Sequence, residues 1–96
     1  MARVIYSAAA LDDLERLADF LRTVEADAPA ALERILSCLE LLEHNPELGR
    51  ADRHGLRELV ISRGRTGYLA LYRHEPRREL VRVLRVRHQR EAGYRG

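Results

Sequence analysis

The sequence predicts one α+β domain in which a pair of helices covers one face of a small antiparallel sheet. The chain has 96 residues, which is enough for a single hydrophobic core. Apolar residues follow a helical spacing in the first half, whereas the second half contains short segments rich in branched and aromatic residues, as strands do. We therefore expect residues 1–96 to form one domain, with the helices preceding most of the sheet.

The first half is expected to form a short strand and an antiparallel helical hairpin. Residues 2–6 predict a strand that can join the sheet at an edge, and Ser7 is placed to cap the following helix. The apolar face of this helix is predicted to contain Leu11, Leu14, Leu17, Ala18, Leu21 and Val24. Asp27 is placed to cap a second helix, which ends at the His-Asn-Pro sequence of residues 44–46. The connection is short, so the helices must pack antiparallel.

The second half is expected to supply the rest of the sheet. Residues 47–55 are polar, contain two glycines and have no period, so they predict a loop. Strands are predicted at residues 56–61, 67–74 and 79–86, and the turn-forming residues between them indicate an antiparallel meander. The helical hairpin can cover only one face of this sheet. The other face is expected to be open and rich in arginine.

Charge is distributed unevenly along the chain. All 17 basic residues are arginine; residues 1–48 contain four of them and ten acidic residues, whereas residues 49–96 contain thirteen and five. This asymmetry indicates a basic face that binds something anionic, either nucleic acid or an acidic protein. No apolar run approaches the roughly 18 residues of a membrane span, and no signal peptide is recognisable. With a single cysteine, these features lead us to expect a cytoplasmic protein.

The sequence predicts neither a metal site nor a bound cofactor. Its four histidines are about ten or more residues apart, and none has a second ligand at helical or hairpin spacing. The glycines of residues 63–67 follow a short strand and open no helix, so we expect a hairpin turn there and not a phosphate-binding loop.

The residue types needed for metal-free RNA cleavage are nevertheless present. That reaction requires a base, an acid and cations that stabilise the extra charge on phosphate. His88 and Glu91 are candidates for proton transfer, and Tyr94 is a candidate for stacking on a base. The candidate cations are Arg57, Arg63, Arg65 and Arg87. Several of these residues have a structural alternative: strand arginines can simply discourage aggregation, His88 can close the end of the last strand, and Tyr94 can pin the tail down.

The order of elements and several short motifs resemble the RelE/ParE superfamily of bacterial toxins over nearly the whole chain. The motifs are HNPELG at residues 44–49, Gly-Leu-Arg at residues 55–57, a strand ending in Tyr72 and Arg73, and a last strand closing at His88. The resemblance implies the toxin of a type II toxin–antitoxin module, with a cognate antitoxin protein as its partner.

The superfamily implies two mechanisms, and we favour the ParE-like one, in which the toxin inhibits DNA gyrase and stops growth. In many RelE-like nucleases an arginine that holds the scissile phosphate stands where this chain has Leu69, and the lysines that often assist catalysis have no lysine counterpart. The target- and antitoxin-binding residues are then expected to be Arg63, Arg82, Arg85, Arg87, Arg90 and Glu91. The alternative is a RelE-like, ribosome-dependent mRNA endonuclease with the catalytic residues His88, Tyr94, Arg57 and Arg65. A third interpretation is an inactive binding module of the same fold.

Overall fold

A computed structural model describes residues 1–62 and 67–88. The helices are α1 (Ala8–Val24) and α2 (Ala28–Glu40), and the strands are β1 (Arg3–Tyr6), β2 (Arg50–Ala51), β3 (Arg57–Ser62), β4 (Tyr68–Glu75) and β5 (Leu80–His88). Short 3-10 turns lie at Leu41–Glu43 and Pro76–Arg78. The order of the elements confirms the predicted α+β class.

Helix α1 begins where Ser7 caps it. The Ser7 hydroxyl accepts a hydrogen bond from the Ala10 amide at 3.0 Å, which satisfies a donor that the first helical turn leaves unpaired. The prediction of the apolar face was wrong at its two ends, because Leu11 and Val24 are 54% and 52% exposed. The buried stripe instead contains Ala10, Asp13, Leu17 and Leu21, so it is rotated from the predicted one by about one residue at the start of the helix.

Helix α2 begins at the predicted cap and packs against α1. The Asp27 carboxylate accepts a hydrogen bond from the Ala30 amide at 3.1 Å. Ala31, Ile35 and Leu39 form the buried face of the helix. The helices contact each other, α1 also contacts β5, and α2 also contacts β3, so the hairpin lies on one face of the sheet as predicted.

The described residues form one sheet with the strand order β1-β5-β4-β3-β2. β3, β4 and β5 are the predicted antiparallel meander, and β1 joins its edge by pairing parallel to β5. The prediction of an unbroken loop over residues 47–55 was wrong, because β2 lies within it and pairs with β3. The Asp52 carboxylate accepts hydrogen bonds from the His54 and Leu56 amides at 2.7 and 3.0 Å, which brings the two strands together.

The hydrophobic core lies between the helices and the covered face of the sheet. The sheet contributes the fully buried residues Ala70, Tyr72, Val81, Val83 and Val86, which meet Leu17, Leu21, Ile35 and Leu39 from the helices. Close packing of these side chains fixes which sheet face remains uncovered.

Candidate target-binding face

The sheet face opposite the helices carries most of the arginines in the described strands. Directly paired residues of neighbouring strands share a face, so the register assigns each side chain to one side. We call the uncovered side the open face; it contains Arg3, Ile5, Arg50, Glu58, Val60, Leu69, Leu71, Arg73, Glu75, Leu80, Arg82, Arg85 and Arg87. The open face is therefore apolar as well as basic.

A β-bulge in β5 decides which of its arginines reach the open face. Tyr72 pairs with Val83, but the preceding Leu71 pairs with Arg85, so Leu84 is an extra residue in β5. Because side chains alternate along a strand, one extra residue exchanges the two faces for everything after it. Arg85 and Arg87 consequently lie on the open face.

The open-face arginines of β5 differ in their partners. The Arg82 Nε donates to the Glu75 carboxylate at 3.2 Å. The Arg85 guanidinium donates twice to the Asp13 carboxylate, at 2.8 and 3.1 Å. Arg87 forms no ion pair with any described residue. Among the described residues, Arg87 is therefore the one of these three arginines whose guanidinium can bind a carboxylate or phosphate of another molecule.

A shallow depression of about 270 Å³ on the open face is lined by Glu58, Leu69, Leu71, Arg85 and Arg87. In the register, Leu69 lies opposite Arg87 and Leu71 lies opposite Arg85, so each leucine has a guanidinium beside it. Apolar contact next to a charged hydrogen-bond donor suits a protein surface with aliphatic and acidic side chains. Leu69 offers no donor to a phosphate.

His88, a candidate catalytic residue, lies on the covered face. Its side chain is only 3% exposed, because it pairs with Tyr68 in the register and packs below α1. The imidazole centroid is 4.9 Å from the ring of Phe20 and 5.1 Å from the ring of Tyr68. The sheet therefore separates the imidazole of His88 from the guanidinium of Arg87, and β5 does not bring them into one site.

Comparison with known proteins decides the family. A family model for the ParE toxin of type II toxin–antitoxin systems matches residues 4–93. The chain belongs to the ParE toxin family. It is thus the toxin of a type II toxin–antitoxin system, within the wider RelE/ParE group.

Individual relatives of this ParE-family toxin come from both branches of the group. Toxin RelE3 of Caulobacter vibrioides is 36% identical over 80 residues, which are 82% of this chain and 85% of that protein. A chain from the chromosomal ParDE system of P. aeruginosa superposes with a TM-score of 0.75 and 22% identity over 92% of this chain and 96% of its own. A chain of the RelBE2 complex of Mycobacterium tuberculosis superposes with a TM-score of 0.68 and 26% identity, over 91% of this chain and 96% of its own.

Arg57, another candidate catalytic residue, holds a loop of this ParE-family toxin in place. Its Nη1 donates to the carbonyl oxygens of Glu47 and Gly49 at 3.2 and 2.7 Å. Beside it, the buried Tyr72 hydroxyl donates to the Pro46 carbonyl and accepts from the Gly49 amide, both at 2.8 Å. Burial raises the pKa of Tyr72, although the Gly49 hydrogen bond acts against the shift. Arg57 and Tyr72 together fix residues 46–49.

The remaining candidate residues of the toxin are Arg63, Arg65, Arg90, Glu91 and Tyr94, and they lie outside the described residues. Among residues 1–62 and 67–88, no group of three histidine, cysteine or carboxylate side chains is placed to hold a metal ion. Neither helix in those ranges has the length and apolar character needed to cross a membrane.

Sequence reasoning missed three residues of the toxin that shape the open face. Glu58 and Leu71 line the depression beside Arg85 and Arg87, but in the sequence they are ordinary strand residues. Asp13, which lies between two predicted apolar positions of α1, is 1% exposed and binds Arg85. One signal was available: the alternation of apolar residues and arginines slips at Val83 and Leu84, where two apolar residues adjoin, as expected at a bulge.

Proposed function

We propose that this toxin acts in the cytoplasm by binding DNA gyrase through the open face, and that a cognate antitoxin neutralises it. Membership of the ParE family supports gyrase as the target. The observation that carries the proposal is the depression on the open face, where Leu69 and Leu71 stand beside Arg85 and Arg87. Such a surface favours adhesion to a protein over cleavage of a phosphodiester.

The charges around the depression support binding without hydrolysis. RNA cleavage needs proton-transfer groups and cations around one phosphate. Arg85 is already neutralised in part by Asp13, and Arg57 is engaged with backbone carbonyls. His88 lies on the opposite face of the sheet. Of the described residues that line the depression, Glu58 is the one carboxylate, and none is a histidine.

An antitoxin partner is supported by two observations. The similar ParDE and RelBE2 structures both come from toxin–antitoxin systems. The surface of this chain also offers complementary places for such a partner: the basic open face, and the exposed Leu11 and Leu41 on the helical hairpin. An antitoxin with acidic and apolar residues would cover both.

Purified components test the gyrase proposal. The wild-type toxin should inhibit supercoiling by gyrase, and Arg87→Ala should raise the toxin concentration for half-inhibition roughly tenfold or more, because one charged contact is lost. Arg77→Ala is the matched control, since Arg77 is exposed in the turn at Pro76–Arg78 and lies outside the open face. Full supercoiling in the presence of excess wild-type toxin would refute the proposal.

A second candidate function is ribosome-dependent mRNA cleavage, which the 36% identity to Toxin RelE3 favours. Under this alternative, Glu58 and Arg87 would lie in the depression that receives the RNA. Programmed ribosomes incubated with the toxin should then yield shortened mRNA while gyrase activity stays normal. If expression of the toxin has no effect on growth, the inactive binding module is the correct interpretation.

A further inference from the structure

Two side chains from the start of α1 bind the backbone of β5, one at the bulge residue Leu84 and one two residues beyond it. The Ser7 hydroxyl donates to the Leu84 carbonyl at 3.0 Å. The Asp13 carboxylate accepts a hydrogen bond from the Val86 amide at 2.9 Å. The same carboxylate binds the Arg85 guanidinium through both of its oxygens, and Arg16 donates to it at 3.2 Å.

These contacts lie at the part of β5 where its pairing with β1 has ended. β1 pairs with β5 only as far as Val83, because the chain leaves the sheet at Ser7 to enter α1. Beyond Val83 the outer edge of β5 has backbone groups that no strand in the described structure pairs with, and such groups are costly to leave unsatisfied. Ser7 and Asp13 take the place of the missing strand.

The position of these contacts determines the direction of the following side chains. If β5 continued through Leu84 as a regular strand without the bulge, Arg85 and Arg87 would point toward the helices, and Val86 would point away from them. In the bulged strand, the Val86 amide and the Arg85 side chain both reach the one buried carboxylate of Asp13.

We propose that Asp13 is a positioning residue that holds the bulge of β5 and thereby directs Arg87 to the open face. An aspartate suits this role, because its two oxygens receive a backbone amide and a guanidinium together. Asp13 is 1% exposed, so water does not compete for these bonds. Burial acts to raise the pKa of Asp13, but the hydrogen bonds from Arg85 and Val86 outweigh it and lower the pKa, so the group is charged at neutral pH.

Amide hydrogen exchange tests the structural part of the proposal in the full chain. Asp13→Ala should speed exchange of the Val86 amide by roughly tenfold to a hundredfold, because a hydrogen bond to a charged group is lost. Asp12→Ala is the matched control, since Asp12 is exposed on the same helix turn. If Asp13→Ala does not fold, Asp13→Asn keeps the shape and should give a smaller increase at Val86. Unchanged Val86 exchange in the folded variant would overturn the proposal.

A double-mutant measurement tests the functional part, which rests on the proposed action against gyrase. Asp13→Ala should weaken inhibition of supercoiling about as much as Arg87→Ala does, and the double variant should be no weaker than Arg87→Ala alone. A merely structural role would give additive losses, and additivity would overturn the proposal. If Arg87→Ala has no effect, the gyrase-binding face is refuted, while the exchange rate of Val86 still decides whether Asp13 holds the bulge.

Discussion

Replacement of Tyr72 by phenylalanine should destabilise the toxin strongly, although it removes one oxygen atom. The hydroxyl is buried under residues 46–49, where it donates to the Pro46 carbonyl and accepts from the Gly49 amide, each at 2.8 Å. Tyr72 is 0% exposed, so water cannot replace the hydroxyl without opening the loop. Phenylalanine would leave the buried Gly49 amide without its acceptor.

The size of the effect follows from these two hydrogen bonds. An unsatisfied buried donor costs about 1–3 kcal/mol, and the bond to the partly buried Pro46 carbonyl contributes about 0.5–1.5 kcal/mol. We therefore expect the free energy of unfolding to fall by about 2–3 kcal/mol. For a domain of this size, such a loss lowers the Tm by roughly 10–20 °C.

Thermal and urea unfolding followed by circular dichroism would measure this loss. Tyr6→Phe is the matched control, because Tyr6 is half-buried against the core and its hydroxyl has no hydrogen bond to a described residue. It should change the free energy of unfolding by less than about 0.5 kcal/mol. Equal Tm values for Tyr72→Phe and Tyr6→Phe would refute the reasoning.

Three further predictions concern stability and reactivity. Gly49→Ala should cost about 1–3 kcal/mol in urea unfolding, because a Cβ at Gly49 would lie 2.7 Å from the Tyr72 ring; an effect below about 0.5 kcal/mol would contradict this. Asp13 has a lowered pKa, so its stabilisation is present above its ordinary value of 3.8 and is lost as pH falls through the folded-state value. The unfolding free energies of wild type and Asp13→Asn should therefore differ at pH 7 and converge at low pH, whereas a constant difference would contradict the assignment. Burial raises the pKa of Cys38, so at pH 8 its thiol should react with a disulfide reagent more slowly in the native toxin than in urea.

Local sequence signals predicted the helix starts well, since Ser7 and Asp27 both cap helices through hydrogen bonds within three residues. β2 could not be predicted, because a two-residue strand has no period and its pairing depends on the turn at Asp52. The sheet face on which His88 lies could not be predicted either. Its face depends on the bulge at Leu84, and a shift of one residue exchanges the covered and open faces.

The sequence predicted which residue types form the candidate site better than it predicted how their side chains are arranged. An arginine-rich open face follows from the charges of the second half. The ion pairs do not follow, because Arg82 binds Glu75 across a turn and Arg85 binds Asp13, which is 72 residues away in the sequence. Long-range pairs of this kind depend on tertiary packing, which neither periodicity nor local propensity encodes. The functional roles assigned to Arg87 and Leu69 stay predictions.

The central claim is that the toxin binds gyrase through the open face, and a pair of charge insertions tests it most directly. Leu69→Glu places a carboxylate in the depression, whereas Leu11→Glu places one on the exposed surface of α1, away from the sheet. We predict that Leu69→Glu raises the half-inhibitory concentration for supercoiling at least about tenfold, and that Leu11→Glu leaves it unchanged. Full inhibition by Leu69→Glu, or loss of inhibition only in Leu11→Glu, would contradict the account.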